Sequence, residues 1–310
     1  MTAQIDPGEP FSAEIRRIVS EETSNAVAAL ETARTDPGKG FHECRKAIKR
    51  LRALWRLIRG GDEPYSRAQD ARLRETAKLL AGPREATALV ETAERLAKAA
   101  GGETQARAVA ALHAALETRR SILLETGLHV DPTITEANAA FSRLDFTAMR
   151  QPDAFEHAAE ILEQGTRKGM RRAVRAVEAA RETGDAEAFH DLRKAVKALG
   201  MQARLLKSVW PDMGKQDRKA MEAFGERLGE LNDLHVMDAL LMAEGVDLVG
   251  EEASALLRDL IAAGAGKLKR RCLRDAGNLL EQRPAPVARK IAARYFRRAG
   301  KTLRHRDVAA

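Results

Sequence analysis

Three observations predict an all-α fold. Ala, Leu, Arg and Glu dominate a chain in which aromatics make up only 4% of residues, and these residue types favour helix. Apolar residues recur at helical spacing almost throughout, interrupted by proline and glycine. Residues 41–57 return at residues 189–205, each matched position displaced by 148. No gap is needed, and Phe41, His42, Arg45, Lys46, Ala47, Lys49, Leu51, Arg56 and Leu57 have identical counterparts.

Taken in order, the periodicity predicts helices at about 11–34, 39–59, 66–100 and 103–127, then 153–183, 186–209, 214–244, 248–280 and 285–306. Pro83 interrupts or kinks the third, because proline removes a backbone donor and crowds the preceding turn. The stretch 128–152, with Asp131-Pro132 and Gln151-Pro152, reads as a connector holding a short helix near 134–142. The expected plan is one domain over 11–300 made of two pseudo-symmetric four-helix bundles, half 1 at 11–127 and half 2 at 153–306. A second correspondence supports the duplication. Glu85 follows His42, and Asp233 follows His190, by the same 43 residues, and each acid follows a leucine, Leu80 or Leu228, at equal distance.

Composition narrows the function. A formal charge of +8 and a pI near 9.6 suit an anion binder without naming the anion. Cys44 and Cys272 are too few for a disulfide framework or a four-ligand zinc site. The N-terminus lacks a signal-peptide pattern, and no apolar stretch approaches the ~18–20 residues that span a bilayer. The expectation is a cytoplasmic protein with no membrane partner; its oligomeric state is not readable from the sequence.

On a wheel of ~100° per residue, with His42 at zero, Arg45 falls near −60°, Lys46 near +40°, Lys49 near −20° and Arg56 near −40°. Opposite them lie Cys44, Ala47, Ile48, Leu51, Leu54, Trp55 and Ile58. The second copy divides in the same way. His190, Arg193, Lys194, Lys197 and Arg204 share one face, and Leu192, Ala195, Val196, Leu199, Ala203 and Leu206 share the other. A surface helix packed on a core explains the apolar side completely. It explains the other side poorly, since solvated faces interleave acids with bases at i,i+4 to limit repulsion. Here Glu43 and Asp191 stand to one side, so the stripe reads as an anion-binding face.

A lone helical histidine is more often structural than functional, but two at equivalent repeat positions, each leading a basic stripe, point to ligand contact. Neither has a second histidine or cysteine at i+3 or i+4, which argues against a metal site. Further basic clusters extend the pattern. Arg167, Lys168, Arg171, Arg172 and Arg175 occupy the first helix of half 2, and Lys267, Lys269, Arg270, Arg271 and Arg274 its fourth. Arg119-Arg120 stand as the first-half equivalent of the latter. Of these, Arg167, Arg171, Arg175, Lys267 and Arg271 join the candidate site. The run from Arg289 to Arg306 in the last helix divides between dipole capping and anion contact. Glu85 and Asp233 read as carboxylates that orient an Arg or Lys by a charge-assisted hydrogen bond, and Cys44 as an inert core thiol.

At these residues the sequence resembles the CHAD family (conserved histidine α-helical domain). The resemblance rests on the His-x-x-Arg-Lys-x-x-Lys-x-x-x-x-x-x-Arg stripe occurring twice, each copy followed by a Leu-rich third helix ending near Glu85 or Asp233. It implies two helical bundles around a basic cleft that binds inorganic polyphosphate and can target the protein to polyphosphate granules, without catalysis of its own. The implied contacts are His42, Arg45, Lys46, Lys49 and Arg56 with His190, Arg193, Lys194, Lys197 and Arg204. Glu85 departs from the Asp more usual there, and Arg84 stands opposite Asn232.

Two other classes of function compete. RNA or DNA binding generally uses aromatic platforms for single strands, and Trp55 and Trp210 belong to the apolar side. An enzyme acting on polyphosphate or nucleotides would need parts that this chain lacks. It has no Gly-x-x-x-x-Gly-Lys-Ser/Thr loop, no Glu-x-Glu-x-Lys signature and no carboxylate cluster arranged for Mg²⁺. No cofactor is expected. A scaffold for acidic proteins stays open at this level.

Overall fold

The computed structural model describes residues 4–80, 82–125, 130–144, 151–152, 154–210 and 213–309. Among them the chain is all-α, with eleven helices and no strand. These are α1 (Phe11–Thr32), α2 (Pro37–Leu57), α3 (Glu63–Leu79), α4 (Gly82–Ala97), α5 (Glu103–Glu125), α6 (Val130–Ser142), α7 (Phe155–Thr183), α8 (Ala186–Leu205), α9 (Lys215–Val249), α10 (Glu251–Leu279) and α11 (Pro284–Ala309).

Local chemistry sets the ends of the two repeated helices. Asp36 caps α2 by accepting the Lys39 backbone N–H, with Pro37 opening the first turn. Asp185 caps α8 by accepting the Ala188 N–H at 2.7 Å. Just before it, α7 closes at Gly184, whose φ of 66° is the left-handed conformation that glycine adopts without penalty.

The structure differs from the predicted elements in three places. The helix predicted over 66–100 is two, α3 and α4, with Pro83 in the first turn of α4, where a missing N–H costs nothing. Pro132 sits likewise in the first turn of α6, which begins at Val130 rather than near 134. The rest of the predicted connector, 128–129 and 145–150, falls outside the described residues. Finally, α9 runs on to Val249 through Gly245, which is packed against Ser254 of α10. The turn comes at Gly250, where φ is 84°.

Both apolar faces read from the repeat are buried. Cys44, Ala47, Ile48, Leu51, Leu54, Trp55 and Ile58 of the first copy, and Leu192, Ala195, Val196, Leu199, Ala203 and Leu206 of the second, all belong to one continuous core. Each large aliphatic side chain so buried contributes about 1.5–3 kcal/mol. Trp55 packs edge-on to Tyr65, with ring centroids 5.6 Å apart.

Within the first half α2 packs on α1, α3 and α4, and α4 on α5; within the second α8 packs on α7 and α9, and α9 on α10. The two stretches then meet through α2 against α8 and α7, and through α4 and α5 against α9. Gly165 lets α7 lie directly on the Leu57 carbonyl at the end of α2, where any side chain would collide. Gln202 Nε2 donates to the Ala53 carbonyl, tying α8 to α2 inside the core. This crossing puts the two histidine helices side by side.

Candidate anion-binding cleft

Helices α2, α4, α8 and α9 enclose a cavity of about 530 Å³. His42, Arg45 and Lys49 enter it from α2, and Arg193 and Lys197 from α8. Glu85, Glu91, Thr92 and Arg95 come from α4, and Glu226, Gly229, Glu230, Asn232 and Asp233 from α9. A second cavity of about 310 Å³ adjoins it. His42, Lys49, Lys197 and Glu226 are common to both, and Lys46, Arg204, Arg218 and Glu222 line the second only.

The cations are held by different devices. Arg45 Nη1 donates to the carbonyls of Ala77 and Leu80 at 3.0 and 3.1 Å, which lie at the end of α3 and have no partner within that helix. Burial draws the Arg193 guanidinium below the ordinary arginine value, while the Asp233 charge opposes that shift. A Cβ at Gly229 would stand 3.8 Å from Lys197 Nζ and 3.9 Å from Arg193 Nε, and one at Gly225 would stand 3.6 Å from Lys197 Cγ. These are ordinary contact distances, so Arg193 and Lys197 lie along α9 at its two glycines without depending on them for space. Asp233 accepts from Arg95 Nη2 at 3.1 Å, joining α4 to α9 across the cavity, and the same nitrogen donates to Thr92 Oγ1. Asp233 thus bonds an arginine of α4, outside the repeated stripe.

The remaining candidates divide. Lys46 pairs with Glu43 at 3.0 Å and Lys194 with Asp191 at 2.9 Å. The acids thought to stand aside thus compensate one lysine in each copy, since i,i+3 neighbours meet on a helix surface. His190 Nδ1 lies 2.5 Å from Asn232 Oδ1, beside the cleft but outside its lining. Arg56 turns away altogether. Its Nε donates to Asp70 of α3 at 3.1 Å, while Arg52 donates to the other oxygen at 2.7 Å and Arg59 stands 3.8 Å away. Arg204 pairs with Glu222 at 2.6 Å. Arg167, Arg171 and Arg175 line a separate groove on α7.

Lys267 and Arg271 are exposed on α10 and line neither cleft cavity. Nearby Lys269 caps α7 through the Gly184 carbonyl and lies over the Phe189 ring. Arg119 and Arg120 pair with Glu244 and Glu117. On α11, which packs on α7, none of the described cations lines the cleft. The side chains of Arg84, Arg304, His305 and Arg306 lie outside the described residues.

Acids stand on the far walls of the basic cleft that the resemblance implies. Arg45, Lys49, Arg95, Arg193 and Lys197 are matched in number by Glu85, Glu91, Glu226, Glu230 and Asp233, because α4 and α9 present acids where α2 and α8 present bases. Stepping back from Asp233 by three, four and seven residues reaches Glu230, Gly229 and Glu226, one face of a helix. That periodicity was present in the sequence and could have found them. Arg95 carried no comparable sign, since its partner lies 138 residues away.

Among the described residues no group of three or more His, Cys, Asp or Glu is placed to hold a metal ion, and no helix is long and apolar enough to cross a membrane. Cys44 is fully buried, and burial pushes its thiol up to about 12, which makes it inert. Residues 17–242, from α1 into α9, match the family model of the CHAD domain. No curated protein matches the chain.

Proposed function

Because the chain belongs to the CHAD family, we propose that it binds inorganic polyphosphate between its two histidine helices, without turning it over. One observation carries this reading: His42, Arg45 and Lys49 of one repeat copy and Arg193 and Lys197 of the other converge on a single cavity. Polyphosphate is a flexible string of anions with no bases to read, so its binder needs cations on rigid supports and little else. Arginine can contact phosphate oxygens as a fork and lysine as a compact charge. Asp233 holds Arg95 extended across the cavity before the polymer arrives. Occupancy by granule polyphosphate would carry the protein to granules, and the repeat itself is best read as an internal duplication that places one cation row on each side of the polymer.

Titration of the full chain with long-chain polyphosphate, pyrophosphate and RNA at two salt concentrations tests the proposal. Affinity should rise with chain length, fall steeply with salt through counterion release, and be lost in Lys49→Glu/Lys197→Glu. Those two lysines line the cleft without serving the core, so the variant should keep wild-type helicity. Normal polyphosphate binding by the folded variant would refute the cleft as the site. Phosphate release in the presence of Mg²⁺ or Mn²⁺ would refute binding without turnover.

A further inference from the structure

A one-sided cluster of charge lies outside the cleft. Gln164, Arg167, Lys168, Arg171, Arg172 and Arg175 line a groove of about 570 Å³ along α7. Five of these six residues are cations and none is an acid, whereas the cleft is charge-balanced. No residue is shared between the two linings. Positions 167, 168, 171, 172 and 175 follow the i, i+1, i+4, i+5, i+8 pattern that keeps side chains on one helix face, over about 12 Å of axis.

The groove also has a neighbour of its own sign. Because Gly165 seats α7 on the end of α2, the Arg52 and Arg56 pair that shares Asp70 comes near enough to Arg172 for their charges to act on it. Burial draws the Arg172 guanidinium below the ordinary arginine value, and the Arg56 and Arg52 charges draw it further, against Asp191 and Asp70. Acids occur on the other flank, where Asp185, Glu187 and Asp191 join Arg172 and Arg175 around a recess of about 410 Å³. Glu63 of α3 lies near enough to Lys168 to feel its charge, but no acid lines the groove itself.

We infer that the α7 groove is a second and independent site for the phosphate oxyanions of polyphosphate. The inference takes its ligand from the reading above. Its location comes from the groove alone. Along α2 the candidate stripe runs from Lys49 in the cleft to Arg56, whose charge acts on Arg172 of the groove, about 10 Å of helix axis, so one long polymer can engage both sites. A short one can occupy each separately.

Tripolyphosphate, too short to engage both, is the probe. Calorimetric titration of the full chain at low salt should give two equivalents bound. Lys168→Glu/Arg171→Glu/Arg175→Glu should retain only the cleft equivalent, and Lys49→Glu/Lys197→Glu only the groove equivalent. With long-chain polyphosphate, the groove variant should bind about tenfold more weakly, with a log–log salt slope shallower by about 2, the loss of three charges. One equivalent in the wild type, or a groove variant that titrates like wild type, overturns the inference and leaves the cleft reading intact. A cleft variant that titrates like wild type, beside a groove variant that loses binding, overturns the cleft reading instead. The three altered side chains are exposed. Should the glutamates perturb folding, the corresponding glutamine variant gives the same test with about half the change in charge.

Discussion

Helices α2 and α8 carry the same five candidate residues at the same spacing, yet they use them differently. Lys46 and Lys194 agree, each held by an acid three residues earlier. The two arginine positions do not. Arg45 closes the carbonyls that α3 leaves open at its end, whereas Arg193 is enclosed beside the Asp233 carboxylate of an unbroken α9. Arg56 joins Arg52 on Asp70, whereas Arg204 takes Glu222. The difference originates in the third helix. Pro83 follows a break between α3 and α4, and a broken helix supplies orphan carbonyls; a continuous one supplies none and offers a side-chain acid instead. Repeated residues therefore do not imply repeated environments.

The strongest way to break this comparison is to reverse the two matched arginines. Arg193→Glu would set a second carboxylate against Asp233 in an enclosed site and should destabilise the fold by about 3 kcal/mol. Arg45→Glu would lose two carbonyl contacts without setting a new charge against Asp233 and should cost about 1.5 kcal/mol. Urea denaturation of both variants measures the difference. Equal losses would mean that the third helix does not set the role of the arginine. Lys49 and Lys197 belong to neither buried face, so they test binding with less disturbance of the core.

A smaller effect sharpens the comparison of the cleft's acidic walls. Glu226 and Glu230 of α9 are exposed, and Glu226 borders both cavities. Neutralising them as Glu226→Gln/Glu230→Gln should raise polyphosphate affinity by about three- to tenfold at low salt and less at high salt, as for any partly screened charge. Glu85→Gln/Glu91→Gln on α4 should raise it less, because neither residue borders the second cavity. Unchanged or weakened affinity in the α9 variant would show that these acids organise the cations more than they oppose the polymer.

The helices and both buried faces of the repeat were legible because one chain segment contains all the information they need. Apolar spacing at 3.6 residues fixed which side of α2 and α8 enters the core, and every residue assigned to that side is buried. The meeting of His42, Arg45 and Lys49 with Arg193 and Lys197 was legible only through the repeat, which marked two distant segments as partners. What stayed hidden depends on elements with no mark of that kind. Arg95 reaches Asp233 from another helix, and Asp70 diverts Arg56 from a stripe that a wheel of α2 alone puts in line with Lys49. A helical wheel gives direction around one axis; it holds no record of which acid a neighbouring helix will present.

That diversion is the subject of the smallest effect. Asp70 has no acidic counterpart in the second half, where the position displaced by 148 residues is Arg218, so among the described residues the first half alone gathers three arginines on one carboxylate. Burial pushes the Asp70 carboxyl up, but the Arg52 hydrogen bond and the Arg56 and Arg52 charges outweigh it and hold the group below its ordinary value of 3.8. A carboxylate depressed in this way contributes its stability above the unfolded value and loses it as pH falls through the folded one. Asp70→Asn should therefore cost about 1–2 kcal/mol at neutral pH, because the pair is only partly desolvated. The gap between variant and wild type should close as pH falls below 3.8. Thermal melts at pH 7 and pH 3 check the sign. A gap that stays constant would assign the effect of Asp70 to packing against α2 rather than to the charge that draws Arg56 from the cleft.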